Sequence, residues 1–165
     1  MPTPRAAVCV STRNRAELLR RLFDQLECQS LPADAFEVVV VDDGSTDHTP
    51  AVIAAALARA RLRLTSIRHE TSRGPAAGRN AAWRTAVAPV IAFTDDDCLP
   101  STDWLERGLA EMGDEPRVVV GRVEPNPEHV TVESPFAHTW VIRAAQTRSF
   151  ATANVFYRRA DLERL

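Results

Sequence analysis

Apolar positions along the chain switch repeatedly between two periods. Ala6 to Val10 is a short apolar run with β-branched members and predicts a first strand. Leu18, Leu19, Leu22, Phe23 and Leu26 then recur at helical spacing and predict one buried stripe. Asn14 stands where it can cap that helix, Glu17 three residues on completes a capping box, and Pro32 closes the unit. Glu37 to Val41 is nearly all valine, the mark of a strand buried on both faces, and it stops at Asp42-Asp43-Gly44-Ser45. Thr49-Pro50 reads as a cap followed by proline at the first helical position, with alanine-rich sequence running to Arg61. Leu62 to Ile67 alternates as a third strand. Gly74-Pro75 starts a helix carrying Arg79, Asn80 and Trp83, which Pro89 closes. Val90 to Thr94 is a fourth strand and ends at Asp95-Asp96-Asp97. Ser101 to Met112 reads as a helix and Arg117 to Val123 as a strand. Glu124 to Phe150 has no clear period, Phe150 to Tyr157 suits a further strand, and Arg159 to Leu165 opens a helix with no stop signal, as in a chain cut at its C-terminus.

Strands alternating with helices of about 10–15 residues predict an α/β fold with a mainly parallel sheet. Ligands of such sheets sit outside the carboxyl ends of the strands, near the point where strand order reverses. Both acidic clusters fall at strand C-termini, and that placement makes them candidates for function.

Composition narrows the classes. The 165 residues amount to about one domain, with 45% hydrophobic and 25% charged residues, enough for a core. A net charge of -2 offers no electrostatic case for nucleic acid or an anionic membrane, and the sparse aromatics offer no base-stacking platform. No apolar run approaches the roughly 20 residues that span a bilayer, and no leader pattern opens the chain, so the cytoplasm is expected. Cys9, Cys28 and Cys98 form no CxxC pair and are expected to be reduced. All 20 basic residues are arginine. That excludes a P-loop, a Schiff base or any phosphoacceptor site needing lysine.

Two carboxylates about 4 Å apart repel by roughly 4 kcal/mol at an effective dielectric of about 20. Asp95, Asp96 and Asp97 together therefore call for a cation, strong solvation or splayed side chains. Hard ions such as Mg²⁺ or Mn²⁺ take oxygen ligands, one or two of them protein carboxylates, and complete their shell with water and phosphate oxygens. A nucleotide diphosphate suits that arrangement. The alternative is a solvated turn, or a cap for the helix at Ser101. Asp42-Asp43 can accept a hydrogen bond from the N–H of a uracil or similar base, or serve only as Asp-Gly-Ser turn chemistry.

Four strings then stand in order: Ala7-Val8-Cys9-Val10-Ser11-Thr12-Arg13-Asn14-Arg15; VVVVDDGSTD from Val38 to Asp47; Arg73-Gly74-Pro75-Ala76-Ala77-Gly78-Arg79-Asn80-Ala81; and Phe93-Thr94-Asp95-Asp96-Asp97-Cys98-Leu99-Pro100. Together they resemble the family-2 glycosyltransferases of GT-A fold over nearly the whole chain. The resemblance implies a Rossmann-like α/β/α sandwich, with residues 1–123 as the donor-binding part and 124–165 as the start of an incomplete acceptor side. It implies a nucleotide-diphospho-sugar donor, a UDP-sugar by preference, with Mn²⁺ or Mg²⁺ as cofactor and inverting transfer. The acceptor stays open among saccharide, lipid carrier, small molecule and protein.

By the same resemblance Thr12, Asn14 and Arg15 would lie by the nucleotide, and Asp42 with Asp43 would hold its base and ribose. Arg79 and Asn80 would sit over the donor pocket, beside Asp96, while Asp95 and Asp97 would be the metal pair. Asn14 otherwise only caps its helix, and Arg79 otherwise only makes an ion pair. Cys98 departs from the family, which often has an acidic or amide residue there, and a thiol cannot replace a carboxylate toward Mg²⁺. The family's usual base motif lies beyond Leu165, so the catalytic base is unknown. Asp103, Glu124, Glu128, His129, Glu133 and His138 are substitutes without a motif. A nucleotide-sugar-binding module without transferase activity is the competing reading. A receiver domain or a sugar nucleotidyltransferase would need lysine, and a dinucleotide dehydrogenase would need GxGxxG after the first strand.

Overall fold

The computed structural model describes residues 3–113, 118–124 and 152–164. Six strands form one sheet: β1 (Ala6–Thr12), β2 (Phe36–Asp42), β3 (Leu64–Arg68), β4 (Val90–Thr94), β5 (Val119–Val120) and β6 (Asn154–Arg158), in the order β3-β2-β1-β4-β6-β5. β1 pairs in parallel with β2 and β4, and β2 with β3, while β6 runs antiparallel to both β4 and β5. The sheet is therefore mainly parallel, as the pattern predicts. Period alone gives no sign of the antiparallel β6 beside β4.

The helices are α1 (Ala16–Glu27), α2 (Thr49–Arg59), α3 (Pro75–Thr85), α4 (Trp104–Met112) and the short α5 (Arg159–Leu162). Alternate residues of β1 enter opposite cores: Ala6, Val8 and Val10 pack with α1, α2 and α4, whereas Ala7 and Cys9 pack with α3. A sheet covered on both faces explains the valine run of β2, every residue of which is buried. From β1 to β3 the sheet grows in one direction with α1 and α2 on one face. β4 lies on the other side of β1, so a right-handed crossover requires α3 on the opposite face. The order reverses between β1 and β4, and the carboxyl ends of these two strands frame the crevice that holds the site.

Several local expectations change. Asn14 does not cap α1: the cap position is Arg15, with no side-chain cap hydrogen bond, and Asn14 has φ 53°. Its Oδ1 instead accepts the Thr46 N–H at 2.7 Å, and its own N–H donates to Ser45 Oγ at 2.9 Å. Glu17 pairs with Arg20 rather than completing a capping box. Thr49 is the first residue of α2, and its N–H donates to Asp47 Oδ1 at 2.9 Å. α2 stops at Arg59, with Ala60 in the left-handed region, and β3 begins at Leu64. α4 begins at Trp104, not Ser101. The strand expected from Arg117 is described only as Val119–Val120, and most of the aperiodic stretch from Glu124 to Phe150 lies outside the described residues.

One polar residue is built into the core. Glu37 is 5% exposed, and its Oε1 accepts the N–H groups of Val87 at 2.7 Å and Ala88 at 2.8 Å, fixing the link from α3 to β4. Glu37→Ala orphans both donors and is expected to cost about 2–4 kcal/mol of stability. Glu37→Gln, which keeps an acceptor oxygen, should recover most of it. Urea midpoints of the three chains check this, and equal midpoints for Glu37→Ala and the wild type would count against the assigned role.

Candidate functional site

A cavity of about 500 Å³ opens at the carboxyl ends of β1 and β4, within the usual range of ligand pockets. Of the residues expected at the site, Thr12, Arg15, Asp43, Arg79, Asp95, Asp96 and Asp97 line it. Asn14, Asp42 and Asn80 do not. Asn14 ties down the 45–46 turn, and Asn80 accepts the Trp83 indole N–H at 3.0 Å. Asp42 is 2% exposed; one oxygen accepts the Ser45 N–H at 2.9 Å and the other the Arg68 guanidinium. Arg68 also donates to the Ser45 carbonyl at 2.9 Å, so Asp42 shapes the loop from beneath.

Asp43, 3% exposed, is the better placed of the pair. It accepts the N–H groups of Arg73 and Gly74, both at 2.9 Å, the Ser72 hydroxyl at 2.7 Å, and His69 Nδ1 at 2.6 Å. An ionised carboxylate only accepts, so this contact places the histidine proton on Nδ1. Burial pushes the Asp43 carboxyl up, but the N–H of Arg73, with His69, Ser72 and Gly74, outweighs it and holds the group well below the usual carboxylate range. The loop can come this close because of Gly44. Its φ is +74°, and a Cβ there would lie 2.9 Å from the Ser72 nitrogen.

The three consecutive aspartates diverge. Asp96 is 4% exposed and turns toward β1: the Thr12 hydroxyl donates to Oδ2 at 2.7 Å and Arg15 Nη1 to Oδ1 at 2.9 Å. Burial raises its pKa, against the pull of Thr12 and Arg15. Arg15, its own pKa raised chiefly by Asp96, reaches Asp97 Oδ2 with the same nitrogen at 2.9 Å. Arg79 Nη2 meets Asp95 Oδ1 at 2.5 Å. Arg79 Nε is buried without a hydrogen-bond acceptor among the described residues, which costs about 1–3 kcal/mol in the arrangement seen. Two guanidiniums thus offset the mutual repulsion of the aspartates.

The donor chemistry fits a hard divalent cation. Asp96 is committed on both oxygens, whereas the Asp95 and Asp97 side chains are 33% and 50% exposed and each is held by one arginine. Among the described residues no three His, Cys, Asp or Glu side chains converge as a metal cage. An ion held by two carboxylates and completed by phosphate and water needs none. Cys98 makes a long contact from Sγ to the Ala153 carbonyl at 3.7 Å, and burial pushes its thiol up.

Ser11, Arg13, Gly74 and Pro75, which the quoted strings contain without a role at the site, also line the cavity, as does Ser72, which lies outside those strings. Proline at the first position of α3, after Ser72-Arg73-Gly74, is the signal that marked this loop, since exposed N–H groups gather at a helix start. Of the substitute bases, Asp103 pairs with Arg107 and Ser101, and Glu124 with Arg122; neither lines the cavity. Glu128, His129, Glu133 and His138 lie outside the described residues.

The family model described as glycosyl transferase family 2 matches residues 7–162. Glycosyltransferase AglE of Haloferax volcanii is 33% identical over 122 residues, which is 73% of this chain and 40% of AglE. Among solved structures, the mannosyltransferase PcManGT of Pyrobaculum calidifontis, in complex with GDP-Man and Mn²⁺, superposes with a TM-score of 0.76 at 29% identity, covering 99% of this chain and 47% of that one. S. aureus TarS 1–349 in complex with UDP-GlcNAc gives 0.78 at 27% identity, covering 97% and 47%. The chain therefore spans about half or less of the length of the proteins it matches.

Proposed function

The chain belongs to glycosyl transferase family 2, and on that premise we propose that its cavity holds a nucleotide-diphospho-sugar together with a divalent cation. The observation that carries this reading is the junction of a satisfied Asp43 on one side of the cavity with two partly exposed aspartates, Asp95 and Asp97, on the other. Asp43 and its loop face the nucleoside, with Asp42 supporting from below. Thr12, Arg15, Arg79 and Asp96 border the diphosphate. Asp95 and Asp97 hold Mn²⁺ or Mg²⁺, which when bound offsets the charge of the leaving diphosphate. UDP is the preferred nucleotide, although among the structural neighbours one carries GDP-Man and another UDP-GlcNAc.

Inverting transfer, with residues 1–123 carrying the donor and 124–165 the acceptor side, belongs to the same reading, as does a cytoplasmic location. No helix among the described residues is long and apolar enough to cross a membrane. The acceptor is a saccharide, a lipid carrier, a small molecule or a protein. General-base catalysis is typically worth about 10²–10⁴-fold. Every carboxylate that lines the described cavity is already tied to a hydrogen-bond or ion-pair partner. Donor and metal binding without transferase activity is the competing reading.

Thermal unfolding with UDP and GDP, with and without Mn²⁺, tests the proposal. A ligand at 100 times its Kd adds about 2.7 kcal/mol and should raise the midpoint by several degrees. Asp97→Ala is expected to keep the fold and lose the metal-dependent part of the rise. No shift with either nucleotide, or an undiminished metal effect in Asp97→Ala, would sink the reading.

A further inference from the structure

The carboxylates offered to a cation are not free. Arg79 Nη2 lies 2.5 Å from Asp95 Oδ1, and Arg15 Nη1 lies 2.9 Å from Asp97 Oδ2. Neither arginine is well served by the arrangement. Arg79 leaves its buried Nε–H without an acceptor among the described residues. Arg15, with a side chain 47% exposed, divides one nitrogen between Asp96 and Asp97. Arg13 lines the same cavity and makes no ion pair among the described residues.

Building on the donor-and-metal reading, we propose that Arg15 and Arg79 exchange partners when the donor binds. Their guanidiniums pass from Asp97 and Asp95 to the oxygens of a nucleoside diphosphate, and the two freed carboxylates become the cation's ligands. A cation arriving alone has to draw Asp95 from Arg79 and Asp97 from Arg15 with no diphosphate to take up the guanidinium contacts it breaks. A diphosphate arriving alone has to approach those same aspartates. Each ligand removes the obstacle met by the other. Arg79 gains acceptors for a planar fork of which the present contact uses one nitrogen. Arg15 can stay anchored on the buried Asp96 while it releases the exposed Asp97. Metal and nucleotide binding are then coupled through the protein, and linkage makes the coupling factor the same in both directions.

Mn²⁺ affinity, read from the free-ion electron paramagnetic resonance signal with and without UDP or GDP, tests the exchange. The chains compared are the wild type, Arg15→Gln, Arg79→Gln, the double variant and Arg13→Gln. Removing both held arginines is expected to tighten binding of Mn²⁺ alone by about tenfold or more and to shrink the coupling factor by a similar amount, within the usual range of coupling between sites. Arg13→Gln, which removes one charge from the same cavity as Arg15→Gln or Arg79→Gln does but frees no aspartate, should leave the affinity for Mn²⁺ alone within about twofold. Unchanged affinity in the double variant overturns the exchange, and so does a gain in Arg13→Gln equal to that of Arg15→Gln or Arg79→Gln, which would reduce the effect to net charge. If no chain binds Mn²⁺ even with UDP or GDP, the donor-and-metal reading falls, and the exchange falls with it. A measurement on the wild type guards against folding losses in the variants. The Arg79 Nε–Hε resonance should move when Mg²⁺ and UDP are added together; a stationary resonance in a chain shown to have bound UDP overturns the exchange.

Discussion

Asp43→Ala is expected to lower stability by about 3–5 kcal/mol and to abolish nucleotide binding, read by urea unfolding and calorimetry respectively. One carboxylate organises the whole loop from His69 to Gly74, accepting from two backbone N–H groups, a hydroxyl and an imidazole. Alanine leaves those donors without their acceptor. Water can reach some of them through the cavity, which keeps the cost below the sum of four separate losses. Asp43→Asn is a finer probe, since it keeps the shape but turns an N–H₂ group toward donors. Acid should show the same dependence. The folded-state pKa of Asp43 is depressed, so its contribution is complete above the ordinary carboxylate value of 3.8 and is lost as pH falls below that value toward the lower folded one. The stability gap between wild type and Asp43→Ala should therefore narrow below about pH 3.8. A gap that stays constant into strong acid would show that the carboxylate charge is not what holds the loop.

Phe156→Ala has an effect of similar size for a different reason. Phe156 is 1% exposed, opposes Ala92 of β4 in the sheet, and packs against the Trp104 ring at a centroid distance of 5.2 Å. Its ring fills the space that Gly108 leaves on α4, where a Cβ would come within 2.1 Å of the Phe156 Cζ. Truncation is expected to cost about 3–5 kcal/mol through lost burial and an unfilled cavity, with Phe156→Leu losing much less. The urea midpoint should fall without a change in the slope of the transition. Below the new midpoint nucleotide affinity should stay within a few-fold of the wild type, because Phe156 faces the core away from the cavity. A loss of binding at temperatures where the variant is folded would contradict that separation.

The strands and helices of the first hundred residues were legible because burial on both sheet faces forces composition to follow architecture. Val38 to Val41 admits little else. Aspartates at strand ends were legible because few structures place like charges together beside a core without a reason. Roles that depend on a partner distant in sequence were not. Asn14 and Glu17 satisfy a local capping pattern, yet Ser45 and Thr46, more than thirty positions on, claim Asn14. Glu37 looks like the polar start of a strand until Val87 and Ala88 arrive fifty residues later. His69 and Ser72 carry no motif and matter only because the β2–β3 pairing sets them over Asp43. Arg15 and Arg79 were legible as candidates for the donor pocket, and Arg79 as a member of an ion pair, but which aspartate each one holds was not.

Thr12 stands level with Asp42 in the pairing of β1 with β2, and on its other side its hydroxyl reaches Asp96 beyond the end of β4. Parallel strands lie about 4.8 Å apart, so the two acidic ends are separated by roughly two such steps, about 10 Å. On the proposed reading the sheet works as a caliper, whose opening between nucleoside and phosphate jaws is fixed by backbone hydrogen bonds. Exchanging side chains alters what each jaw grips but leaves the gap unchanged. Attempts to redirect the chain to another sugar belong beyond the jaws, whereas attempts to redirect it to another base belong on the Asp43 loop.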